Sequence, residues 1–318
     1  MTPAGPDGSD QTGQRMRRAI AAAIIGAVAV AVAVVVAVVA VTTGGPDGIV
    51  RPRSPHRAPA SYYLSLGDSL SQGVQPDRSG ASVPTGQGYP DQLYAMLRAS
   101  DPGLRLVKLG CSGETTSTMI HGGICAYRGG SQLAAAVRFL RAHRGRVSLI
   151  TIDIGANDPN SCIFHPSLGT IAHCVRSAIP GAVGNLARIL QALRAAGGSK
   201  VRIIGMNYYV PELAEWRNGL AGRALARLSA QLGAGLNYLL TRAYGAAGAR
   251  VADVAGAFRT GDFTGRLTRS AAGTVPPNVA LICSLTWACA QPPRGPDEHA
   301  NAAGYRVIAQ AFRRADAR

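Results

Sequence analysis

Ser69 stands in Leu64-Ser65-Leu66-Gly67-Asp68-Ser69-Leu70-Ser71-Gln72-Gly73, where an apolar run breaks into small residues. A serine on such a turn can act as a nucleophile if a base takes its proton and donors hold the oxyanion that attack creates. The candidate base is His299, far away in Gly295-Pro296-Asp297-Glu298-His299-Ala300-Asn301-Ala302-Ala303-Gly304-Tyr305. An imidazole base needs an acceptor on its second nitrogen, and Asp297, Glu298 or a backbone carbonyl can supply one. Between serine and histidine lie Gly110-Cys111-Ser112-Gly113-Glu114-Thr115 and Gly155-Ala156-Asn157-Asp158, each just after an apolar run. Taken singly, Ser69 reads as a helix-capping serine and Gly113 as a turn glycine. Four separated blocks that fit one acyl-transfer site outweigh those readings.

The order and spacing of these blocks resemble those of the SGNH/GDSL hydrolases, in particular the secreted esterases and lipases of actinobacterial type. The resemblance covers roughly residues 61 to 315. It implies a three-layer α/β/α, flavodoxin-like fold with a central parallel sheet of about five strands. It also implies Ser69 as nucleophile, His299 as base, and an oxyanion hole made of the Ser69 N–H, the Gly113 N–H and the Asn157 side-chain amide. No cofactor and no metal are expected. One position departs from the family pattern: its acid usually stands three residues before the histidine, where this chain has Pro296. Asp297, one residue closer, is the replacement to examine.

Composition bounds the other readings. A chain of 318 residues with 47% hydrophobic content can bury a full core. Its formal charge of +16 suggests nucleic acid, yet the arginines are dispersed through helix-like stretches and aromatic content is only 5%. A single-strand binding surface interleaves aromatics with basic groups, so no nucleic-acid partner is expected.

The N-terminus divides into a leader with a basic end (residues 1–18), an Ala/Val/Ile run (19–41) and a Pro/Gly-rich linker (42–60), followed by the hydrolase domain (61–318). About 23 apolar residues can span a bilayer, so the run reads as a retained anchor, or as a secretion signal if a peptidase cuts near Val38-Val39-Ala40. Six cysteines fall into three near-neighbour pairs along the chain: Cys111 with Cys125, Cys162 with Cys174, Cys283 with Cys289. Disulfides persist outside the reducing cytosol, which agrees with an extracytoplasmic domain, membrane-anchored or secreted. The rival for the middle pair is a zinc site of Cys162, His165, His173 and Cys174.

The elements that must position these residues follow from periodicity. Strands are expected at 62–66, 104–109, 147–154, 201–206 and 251–254, with 147–154, the most apolar, at the sheet centre. Helices are expected at 90–97, 133–140, 178–196 and 302–312, and within 211–244, where Leu220, Leu225, Leu228, Leu232, Leu236 and Leu239 suggest a core face. Residues 74–87 read as a plain loop, Glu114 as a capping or surface carboxylate, and Tyr208, Tyr209 and Trp216 as packing aromatics. The expected function is hydrolysis of lipid or short-chain acyl esters through an acyl-enzyme by a monomer. The alternatives are an O-acetyl carbohydrate deacetylase of the cell envelope and a non-catalytic envelope-binding protein on an esterase scaffold.

Overall fold

The structure is a computed structural model that describes residues 61–159, 162, 168–270 and 273–317. The segments 1–18, 19–41 and 42–60, and His165, lie outside the described residues. Among those described, no helix is long and apolar enough to cross a membrane.

Five parallel strands form the central sheet: β1 (Tyr62–Gly67), β2 (Arg105–Lys108), β3 (Val147–Asp153), β4 (Arg202–Met206) and β5 (Arg250–Ala252). They lie in the order β2-β1-β3-β4-β5. β1 and β3 are buried along nearly their whole length, as a strand covered on both faces must be. β1 pairs with β2 through Leu64 opposite Val107, and with β3 through Leu66 opposite Ile152. The chain leaves β1 for the β2 side and returns to β3 on the other. That reversal opens a crevice beyond the carboxyl ends of β1 and β3, the expected place for a ligand in a doubly wound sheet. Ser69 follows β1, Gly113 follows β2 and Asn157 follows β3, so the candidate donors come from three adjacent strands.

Helices flank the sheet: α1 (Ser69–Gln72), α2 (Tyr89–Arg98), α3 (Thr116–His121), α4 (Gln132–Ala142), α5 (Leu168–Gly197), α6 (Gly219–Ala246), α7 (Val254–Ala257), α8 (Pro277–Leu285) and α9 (Ala302–Asp316). α4, α5 and α6 pack in series, with Leu186, Ile189, Leu190 and Leu193 of α5 in the core. α2 packs on α9, where the Tyr89 and Phe312 rings stack with centroids 4.6 Å apart.

Three expectations need correction. The 211–244 segment is a 3-10 turn (Pro211–Arg217) followed by α6, and its buried face is Gly222, Ala226, Ala230, Leu236, Leu240 and Tyr244. Leu220 is 84% exposed and Leu239 is also exposed. Small residues face inward because the helix lies close to its neighbours: a Cβ on Gly222 would sit 2.0 Å from the Glu215 carbonyl oxygen. Residues 74–87 are no plain loop, since Gln75–Pro76 and Ser82–Val83 pair as an antiparallel ribbon. Finally, residues 255–289, which show no clear periodicity in the sequence, contain a ribbon (Thr268–Ser270 with Gly273–Val275) and α8.

Candidate active site

The serine turn is built from β1 outward. Gly67 takes φ +133°, and a Cβ there would lie 2.2 Å from the Asp153 carbonyl oxygen, so only glycine fits. Asp68 then caps α1, its Oδ1 accepting the Leu70 N–H at 2.9 Å. Ser69 is the first residue of this one-turn helix and is partly exposed. Beneath it lies Asp153, fully buried at the end of β3. Its Oδ2 accepts the N–H groups of Asp68 (3.2 Å) and Ser71 (3.1 Å), and its Oδ1 accepts the Tyr89 hydroxyl at 2.5 Å. Burial pushes both carboxyl groups up in pKa, Asp153 the further because the neighbouring Asp68 charge adds to desolvation.

The second block is fastened to the first. Cys111 N–H donates to the Gly67 carbonyl at 3.0 Å, and Gln72 Nε2 to the Gly110 carbonyl at 2.7 Å. The fully buried Gln132 accepts the Gly67 N–H (2.7 Å) and donates Nε2 to both the Gly67 carbonyl and Glu114 Oε2, each at 2.9 Å. Glu114 is therefore a buried brace, which corrects its reading as a capping or surface carboxylate. Gly113 has φ +78° with open space where a Cβ would be, so backbone conformation selects glycine there. Cys111 bonds to Cys125, closing the loop that carries Gly113.

Asn157 joins the third block to the second, its Nδ2 donating to the Glu114 carbonyl at 3.0 Å. Next to it, Asp158 accepts the Thr116 N–H (3.0 Å) and hydroxyl (2.5 Å) at the start of α3. A disulfide joins Cys162 to Cys174, which replaces the zinc alternative with a covalent bridge.

In the last block, Asp297 is the acceptor that lies against the second nitrogen of the histidine. His299 is 7% exposed, and Asp297 Oδ1 lies 2.8 Å from its Nδ1 and 2.9 Å from its backbone N. With the carboxylate on Nδ1, the tautomer that leaves Nε2 as an acceptor is favoured. Burial draws the imidazole pKa down, but the Asp297 bond and charge, with Glu298 and Asp68, outweigh it and hold the pKa above the ordinary value. Burial likewise opposes the Asp297 charge, yet the His299 contacts win and hold that carboxyl below its ordinary value.

The histidine loop is itself supported. The Trp287 N–H donates to the His299 carbonyl (3.0 Å) and the Trp287 carbonyl accepts the Asp297 N–H (3.3 Å), inside a loop closed by the Cys283–Cys289 disulfide. Tyr209 donates its hydroxyl to the Glu298 carbonyl at 2.9 Å, while the Tyr208 hydroxyl lies 3.4 Å from Asp68 Oδ2. These neighbouring tyrosines are packing residues, and they link the serine turn to the histidine loop. Of the other described histidines, His143 is back-bonded to the Phe139 carbonyl and stacked on its ring, and His121 and His173 are exposed. Asp297, Glu298 and His299 each have a ligand atom within 4.8 Å of the others, but Asp297 and His299 are already bonded to one another.

The fold is thus a doubly wound α/β/α scaffold with its candidate site at the topological switch point. Its sequence matches the profile of the GDSL-like Lipase/Acylhydrolase family over residues 65–307. The chain belongs to this family and is a carboxylic ester hydrolase. Similar solved structures include the extracellular lipase from Streptomyces rimosus, at 18% identity and a TM-score of 0.54, covering 80% of this chain and 100% of that one. Another is the lipase Lip_vut3 from a goat rumen metagenome, at 17% identity and a TM-score of 0.51, covering 80% and 97%. At these identities the likeness speaks for the fold. No protein of curated function matches the sequence.

Proposed function

We propose that this chain hydrolyses lipid or short-chain acyl esters through a Ser69-His299-Asp297 triad. The observation that carries the reading is the 2.8 Å contact between Asp297 Oδ1 and His299 Nδ1, made despite the shortened spacing. Ser69 Oγ attacks the acyl carbon while its proton passes to His299 Nε2. The oxyanion is held by the Ser69 and Gly113 N–H groups and the Asn157 amide. His299 then gives the proton to the departing alkoxide, and the alcohol leaves an acyl-enzyme. Water, deprotonated by His299, attacks that ester; the carboxylic acid departs and Ser69 regains its proton.

Three disulfides among the described residues support an extracytoplasmic site of action, with residues 61–318 as the catalytic domain beyond an anchor or signal at 19–41. The test is hydrolysis of a short-chain chromogenic ester by the full chain beside Ser69→Ala and His299→Ala. Each substitution is expected to lower kcat by about 10⁴-fold or more, and the double variant scarcely further, because the residues act as one unit. Substantial activity in Ser69→Ala defeats the mechanism. Comparing acyl chain lengths in the same assay separates an acyl-ester hydrolase from an O-acetyl glycan deacetylase, which accepts acetyl alone.

A further inference from the structure

Asp297 Oδ1 accepts two N–H groups, both from His299. An acid only two residues from its histidine sits on a short stretch of loop, and those contacts alone leave its second oxygen to be placed. Ser82 places it: its hydroxyl donates to Asp297 Oδ2 at 2.8 Å, from 215 positions away in the chain.

We propose that Ser82 is a positioning residue for the hydrolysis, fixing the Asp297 carboxylate against the His299 imidazole. The inference rests on the triad reading above. Its support is the rigidity of what carries Ser82. The ribbon pairs Pro76 with Ser82 and Gln75 with Val83. Its turn is held by Asp77 Oδ1, which accepts the Ser79 N–H and hydroxyl (both 2.7 Å) and the Ala81 N–H (3.1 Å). At its tip, a Cβ on Gly80 would lie 2.0 Å from the Pro293 carbonyl oxygen, so ribbon and histidine segment are in close contact. At its base, Trp287 Nε1 lies 3.3 Å from Gln75 Oε1, and the Tyr305 hydroxyl donates to the Val74 carbonyl at 2.8 Å. The Val74 N–H in turn donates to the Ser69 carbonyl at 3.1 Å. The ribbon therefore starts on the nucleophile's own turn and ends on the acid, so that one short element references both ends of the triad.

Ser82 is exposed, so water competes for Asp297 and the effect of losing the hydroxyl is moderate. Ser82→Ala in the full chain is expected to lower kcat on a soluble chromogenic ester by about three- to tenfold, as for one hydrogen bond, with KM unchanged. Ser82→Thr keeps the hydroxyl and is expected to restore kcat. In an Asp297→Ala background, Ser82→Ala is expected to cost nothing further, because its target is gone. An undiminished kcat in Ser82→Ala overturns the proposal, and so does the same fold-loss in both backgrounds. A readout independent of turnover is the low-field proton resonance of the His299 Nδ1–H, expected sharp in wild type and broadened in Ser82→Ala. If that resonance responds to Ser82 while Ser69→Ala stays active, the positioning contact stands and the choice of nucleophile fails.

Discussion

At the residue scale, charge and burial set the pH at which the site works. In the proposed triad His299 serves as base only when neutral, and its pKa is held above the ordinary value of about 6.5 mainly by Asp297, against desolvation. The acid limb of kcat/KM is therefore expected above that of a free imidazole. In Asp297→Asn it moves to lower pH, and kcat falls; a pH-rate profile on a soluble ester reads both, and an unmoved limb rules out this role for Asp297. Stability follows with the opposite sense. The raised His299 contribution is full below the free-imidazole pKa and is lost as pH climbs through the folded value. The lowered Asp297 contribution is present above the ordinary aspartate pKa and is lost as pH falls through the folded value. The pair thus stabilises most between about pH 4 and 6.5, below the range in which the base is active.

At the element scale, the strand-to-helix turn after β1 is the part least tolerant of change. Gly67 holds φ +133° against the Asp153 backbone, while Gly73 ends α1 at φ +70° with a Cβ position 2.5 Å from Gly88 Cα. Adding one methyl at Gly67 pushes the turn off β3 and off the Asp153 carboxylate that holds the Asp68 and Ser71 N–H groups. Gly67→Ala is expected to destabilise by about 3 kcal/mol or more and to abolish turnover. Urea unfolding and the ester assay check this; a variant of wild-type stability contradicts the packing argument. Part of this was legible in the sequence. An apolar run before Gly-Asp-Ser predicts a strand and a turn, and five strands and helices α2, α4 and α9 fall within a few residues of their periodic patterns, whereas α5 begins at Leu168, ten residues before its expected start. The inward face of α6 was not legible, because close helix packing favours glycine and alanine over the leucines that periodicity highlights.

At the scale of the whole molecule, covalent bridges stand beside two of the loops that bear site residues. Cys111–Cys125 closes the Gly113 loop, and Cys283–Cys289 closes the loop whose Trp287 pairs with His299. By loop-closure entropy a ring this small is worth about 2 kcal/mol of stability. For Cys283–Cys289 the effect on activity is expected to be the larger one, since Trp287 inside that ring is bonded to the backbone of His299, the proposed base. Cys283→Ser with Cys289→Ser should lower kcat at temperatures well below the melting transition, where the chain is still folded. Activity that tracks the folded fraction alone would make the bridge structural only.

The sequence by itself determined the chemistry on offer: a serine after a strand, a late histidine, a glycine turn and an Asn-Asp turn between them, and cysteines spaced for short bridges. These are local properties, fixed by residue type and by neighbours a few positions away. The tertiary structure decided which acid lies against the histidine, because two-residue spacing is compatible with Asp297, Glu298 or a carbonyl until the loop is folded. It also revealed Asp153, Gln132 and Ser82, whose partners stand 82, 65 and 215 positions away. A hydrogen bond across that separation leaves no periodic trace in the chain; it exists only once the sheet order and the loops have brought both groups to the same place.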